Sequence, residues 1–105
     1  MLDFYYIYDD APTPEYPNED QFLGGLDLDE FQRVSELVDF VNSLGINMEF
    51  FTDFRLKSHA AQKALRVAEN SISECEGKTK DAYGKLYQIL SEAVSQSAGI
   101  ISFSD

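Results

Sequence analysis

The sequence predicts a single α+β domain spanning residues 1–105. A small three-stranded sheet packs against three helices in the order β–loop–α–β–α–α–β. Three observations carry this. The opening run "LDFYYIY" alternates with a period of two. Apolar residues recur every three to four positions through three later stretches. The 105 residues are 44% apolar and include eight Phe and six Tyr, enough bulky material for one core.

In residues 2–8, Leu2, Phe4, Tyr6 and Tyr8 point one way and Tyr5 and Ile7 the other. Both faces are apolar or aromatic, which places this strand inside a sheet or under a cover. An acidic, proline-rich loop follows at about 9–26. Pro12, Pro14 and Pro17 fix φ and remove donors, so the loop is stiff and cannot pair continuously. Gly24 and Gly25 supply a pivot, and Tyr16, Phe22 and Leu23 are candidate anchors. A loop this long in a compact domain points to function or disorder.

The first helix is expected from 28 to 44. Asp27 as N-cap and Glu30 three residues on form a capping box. Leu28, Phe31, Val34, Leu37, Val41 and Leu44 make its apolar face, and Gly45 its stop. "INMEFF", 46–51, reads as the second strand, with Ile46, Met48 and Phe50 on one side. A strand, a helix and a strand in one sheet imply a right-handed parallel crossover. The second helix starts at Asp53 or Ser58 and buries Ala61, Leu65, Ala68, Ile72 and Cys75 before Gly77. The third runs from Thr79 to about Ala98, with Tyr83, Leu86, Leu90 and Ala93 inward and Gly99 at its end. An Asp81–Lys85 pair is expected on it, and Gly84 suggests a close helix contact. "GIISFSD", 99–105, closes the chain as a strand.

The charge is concentrated. Residues 1–53 carry 13 acids against Arg33 alone, a net −12, while residues 54–105 carry 6 acids and 7 bases, a net +1. DNA, RNA and anionic membranes are therefore disfavoured as direct partners, because they need a basic footprint. A basic protein surface is the favoured partner. Steering between complementary charges raises association to about 10⁸–10⁹ M⁻¹s⁻¹. The expected contact residues are Tyr8, Asp9, Asp10, Glu15, Tyr16, Glu19 and Asp20 in the loop, with Asp29, Glu36 and Asp39 on the outward face of the first helix. Tyrosine rings among acids combine buried area with pairing to Arg or Lys. The competing account has the loop neutralised internally by the basic run Arg55, Lys57, Lys63 and Arg66. Four bases against eight acids leave a negative excess exposed.

No enzyme signature is present, and neither cofactor nor metal is expected. The stretch from Asp27 fails the EF-hand pattern, since Phe31 occupies a ligand position. Cys75 and His59 are the only residues of their kinds, and Cys75 falls on an apolar stripe, where an inert thiol is the simpler role. A single cysteine rules out an internal disulfide framework and fits a reducing compartment. The N-terminus lacks the pattern of a secretory signal, so a cytoplasmic protein is expected.

A short acidic chain carrying "FYYIYDDAPTPEYP", then "FLGGLDLDEF", and closing on "GIISFSD" resembles the immunity proteins encoded beside bacterial polymorphic and contact-dependent growth-inhibition toxins. The resemblance covers the whole chain in length and layout. It implies a cytoplasmic inhibitor that binds the cell's own toxin domain, often a nuclease, and blocks it. Contact residues vary within that class, so the resemblance assigns none here. The alternative is an acidic adaptor or nucleic-acid mimic that regulates another enzyme.

Overall fold

The computed structural model describes residues 1–104. Along the chain lie β1 (Leu2–Ile7), a 3₁₀ turn (Glu19–Gln21), β2 (Phe22–Leu26), α1 (Leu28–Arg33), α2 (Ser35–Ser43), β3 (Phe54–Leu56), α3 (Ser58–Glu74), α4 (Gly77–Ser95) and β4 (Gly99–Ser104). The class is α+β as expected, with one more strand and one more helix than the sequence suggested. The four strands form one sheet in the order β2-β1-β4-β3, and every pairing is antiparallel. The expected parallel crossover therefore does not form.

β1 is central, with β2 on one side and β4 on the other. This matches its two apolar faces. Leu2 and Phe4 enter the main core beneath the helices, joined by Leu26, Leu56 and Ile100 from the other strands. Tyr5 and Ile7 point to the opposite face, where they form a second, smaller cluster with Ile101. The helices thus cover one side of the sheet, and the side lined by Tyr5 and Ile7 must be covered by something else.

The second strand was expected at 46–51 and lies instead at Phe54–Leu56. The alternation at 46–51 is real in burial: Met48 is buried, and Ile46 and Phe50 pack against the core. It needs no strand, because the Asn42 side chain accepts the Met48 backbone N–H at 2.8 Å. The free edge of β4 is taken by β3, with Arg55 opposite Ile101. The missed strand, β2, lies inside the stretch taken for loop. Gly24 and Gly25 are strand residues in it, opposite Phe4 and Asp3, and glycines weaken a strand signal.

The first helix is broken in two. The capping box forms: Glu30 donates its backbone N–H to Asp27 Oδ1 at 2.7 Å, and Asp27 donates its own to Glu30 Oε1 at 2.9 Å. Val34 then leaves helical geometry, with φ −101° and ψ 29°, and bonds back to the Phe31 carbonyl. The break changes partner: α1 packs on α4 and β2, whereas α2 packs on α3. Gly45 stops α2 at φ +88°, as the sequence implied.

α3 and α4 form the main helix pair. α3 buries only small residues, Ala61, Ala64, Ala68 and Ser71, so α4 can approach closely with Tyr83, Leu86 and Leu90. Leu65 and Ile72 are half-buried at the margin of that stripe, and Cys75 is half-buried at its end. Tyr83 ties three helices. Burial pushes its phenol up, and hydrogen bonding to the Ser71 side chain and the Leu37 backbone offsets part of that rise. Four local expectations on α4 fail. The helix starts at Gly77 and not at Thr79. Lys85 pairs with Glu30 of α1 at 3.1 Å and not with Asp81. Gly84 faces open space, with no close contact. Ser97, at φ 56°, makes the left-handed turn after the helix, and Gly99 belongs to β4, where a Cβ would meet the Leu56 carbonyl. The last expected strand residue, Asp105, lies outside the described residues.

A candidate protein-binding surface

The chain between β1 and β2 is a strap across the sheet face that the helices leave open. It leaves β1 toward β3, on the far side of β4, and returns to β2. Ala11 packs on the cluster of Tyr5, Ile7 and Ile101. Thr13 and Pro14 border a small cavity with Arg55, Ile101 and Phe103. The 3₁₀ turn is held by Asn18, whose Oδ1 accepts the Asp20 backbone N–H at 3.1 Å.

Arg55 of β3 holds the near end. It donates Nη1 to Thr13 Oγ1 and Nη2 to the Tyr8 carbonyl, both at 3.0 Å, with the Asp9 carbonyl at 3.4 Å. A guanidinium offers several donors in a rigid plane, which suits converging carbonyls. Asp9 supplies the second tie. Its carboxylate accepts the Ser58 backbone N–H at 2.8 Å and the Ser58 hydroxyl at 2.5 Å. Lys57, the residue at the N-cap of α3, makes no side-chain cap of its own. Asp9 therefore caps a helix from a distant part of the chain. The two Ser58 hydrogen bonds, then the Lys57 and Arg55 charges, hold its carboxyl below the usual range.

This arrangement decides the fate of the acidic loop. The anchoring arginine binds two backbone carbonyls and a hydroxyl, so only Asp9 is drawn inward. Asp10, Glu15, Glu19 and Asp20 are exposed, and none is in an ion pair. Tyr16 is 77% exposed among them. Internal neutralisation by the basic run does not occur beyond Asp9.

The strap leads into an aromatic row. The Phe22 ring meets Tyr5 edge to face at 5.4 Å between centroids, and Tyr5 meets Phe103 likewise at 5.8 Å. The row crosses β2, β1 and β4 on the open face, and Phe22 is half-exposed at its end. Asp3 lies on the same face, with its carboxylate over Gly25. Sequence reasoning missed this row, in which Phe22 is exposed, Phe103 is half-buried and Tyr5 is buried between them. The available signal was a first strand with two apolar faces and helices enough for one.

The other expected contact residues divide. Tyr8 is exposed, but its ring packs on Tyr6 and its hydroxyl donates to Gln96 Oε1 at 3.4 Å, toward α4. Asp29 pairs with Arg33 at 2.9 Å, and that guanidinium holds its carboxyl below the usual range. Glu36 and Asp39 are exposed on α2, in the helical layer on the other side of the sheet. The loop and the outward face of α1–α2 do not form one surface. The strap acids and the aromatic row do.

No catalytic pairing of Cys75 with His59 exists. They stand at opposite ends of α3, about 24 Å apart at 1.5 Å per residue. Among the described residues, no three His, Cys, Asp or Glu side chains are grouped to hold a metal ion, and no helix is long and apolar enough to cross a membrane. Comparisons with family models, curated proteins and solved structures match this chain to nothing.

Proposed function

We propose that this chain is an immunity protein that binds and neutralises a cognate toxin domain, a basic nuclease, in the cytoplasm of the cell that makes both. One observation carries the reading: a stiff strap is tied down through its carbonyls while Asp10, Glu15, Glu19 and Asp20 stay unpaired and exposed. A segment held this way is pre-organised, so little ordering entropy is lost on binding. The unpaired acids attract a basic groove from a distance, and Tyr16 and Phe22 offer ring area for close contact. Clustered carboxylates beside rings imitate phosphates beside bases, which is the pattern a nuclease groove accepts.

The test is co-expression with toxin domains encoded by neighbouring genes. The reading predicts rescue of growth and a purified complex with one of them. A set of neighbouring toxins that all kill the expressing cell, with none binding, would overturn it.

A further inference from the structure

The β3 edge of the sheet, beside the strap's anchor, carries a different charge. A cavity of about 360 Å³ opens there, lined by Leu44 and Ile46 after α2, Arg55 and Lys57 from β3 and its exit, and His59, Ala60 and Lys63 from α3. Leu44, Ile46 and Ala60 give it an apolar wall. The rest of its lining is basic.

The cations are unspent. The chain has 19 acids and 8 bases, yet the ion pairs among the described residues are Arg33–Asp29 and Lys85–Glu30. Among the described residues, no carboxylate lies within ion-pair distance of Lys57, His59 or Lys63. Asp9 is near enough to feel Lys57, but its oxygens are engaged by Ser58. Arg55 closes the cavity wall, with its Nη atoms on the strap and its buried Nε lacking any partner. In a strongly acidic chain, two unpaired lysines, with the His59 ring beside them, around one apolar recess are a complementary site for an anion.

We propose that this cavity binds a small organic anion with an apolar body. Its carboxylate or phosphate head meets Lys57, His59 and Lys63, and its body lies against Leu44, Ile46 and Ala60. The volume falls in the usual range for ligand pockets, about 300–1,000 Å³. Asp9 is the strap acid that acts on Lys57 and Arg55, and one carboxylate against Arg55, Lys57 and Lys63 leaves the charge around the cavity positive. A polynucleotide does not fit this picture, because its next phosphates would run onto exposed acids. The proposal is independent of the toxin reading.

The test is an NMR titration of the ¹⁵N-labelled full chain at constant ionic strength. The probes are hexanoate, hexyl phosphate and, as neutral control, 1-hexanol. The proposal predicts saturable amide shifts at 44–46 and 55–63 with at least one anion and none with hexanol. The tighter anion identifies the head group as carboxylate or phosphate. In Lys57→Gln/Lys63→Gln the affinity falls at least about tenfold, because two charge-assisted contacts are lost. Both lysines are exposed, and unshifted resonances elsewhere verify the fold. Absence of saturable shifts with either anion, equal shifts with hexanol, or undiminished affinity in the double variant would each overturn it.

Discussion

Asp9 caps a helix that begins 49 positions later in the chain, accepting both the backbone N–H and the hydroxyl of Ser58. One contact therefore fixes the strap and finishes α3. Replacing Asp9 by Ala should cost about 0.5–2 kcal/mol, the usual worth of an N-cap, toward the lower end because the site is exposed. Urea unfolding of the two proteins measures it. The pH dependence has a definite sign. The folded carboxyl titrates below its ordinary 3.8, so its contribution is complete above that value. It is lost as pH falls through the lowered folded value. The stability difference between wild type and Asp9→Ala should disappear in strong acid. A difference that persists there would show that the carboxylate is not the source.

Arg55 should control the strap and little else. Arg55→Lys keeps one charge but cannot span Thr13 and two carbonyls at once. We expect faster backbone hydrogen exchange and proteolysis at residues 8–15, with the helices unchanged. Stability should fall by about 1–3 kcal/mol if all three acceptors lose their partner, as in Arg55→Ala. Uniform exchange rates across both proteins would show that the strap is held by its apolar contacts alone.

Tyr83 is a test of the helical layer. Tyr83→Phe preserves the ring and removes the hydroxyl that meets Ser71 and the Leu37 backbone. The expected loss is about 1–3 kcal/mol, because Ser71 is left buried without that partner. Thermal or urea unfolding reads it. An unchanged midpoint would mean that Ser71 finds another acceptor within α3.

Two glycines predict opposite outcomes for the same substitution. Gly84→Ala adds a methyl to a helix interior where nothing lies within 4 Å, and should stabilise by about 0.5–1 kcal/mol. At Gly99 a Cβ would run into the Leu56 carbonyl oxygen, a backbone atom that cannot swing aside. Gly99→Ala should force β3 from β4 and cost more than about 1–3 kcal/mol, the range for overpacking. Calorimetry on the pair distinguishes a spacing requirement from a general intolerance.

What was legible in the sequence was local. The Asp27–Glu30 capping box, the two-faced first strand and the glycine stop at Gly45 each depend on residues a few positions apart, and each forms as read. What was not legible depends on distant chain. β2 hides because Gly24 and Gly25 look like a pivot until Phe4 and Asp3 stand opposite them. The alternation at 46–51 reads as a strand until Asn42 takes the Met48 N–H. Lys85 has an acid one turn away and still chooses Glu30, because α1 lies against α4. The candidate surface follows the same rule. Exposure of Asp10, Glu15, Glu19 and Asp20 follows from composition, since the bases are too few. The loss of Asp9 to Ser58, and the separation of Glu36 and Asp39 on the far side of the sheet, required knowing where α3 begins and which face α2 covers.

The most direct measurement is the toxin affinity of Asp10→Asn/Glu15→Gln/Glu19→Gln/Asp20→Asn beside wild type and Glu36→Gln/Asp39→Asn, as sodium chloride rises. The account predicts that wild-type affinity falls with salt. It predicts that the strap variant binds at least about tenfold more weakly, chiefly through a slower kon, with a flatter salt slope, and that the α2 variant matches wild type. A strap variant with wild-type affinity and slope would contradict the claim that these carboxylates meet the partner.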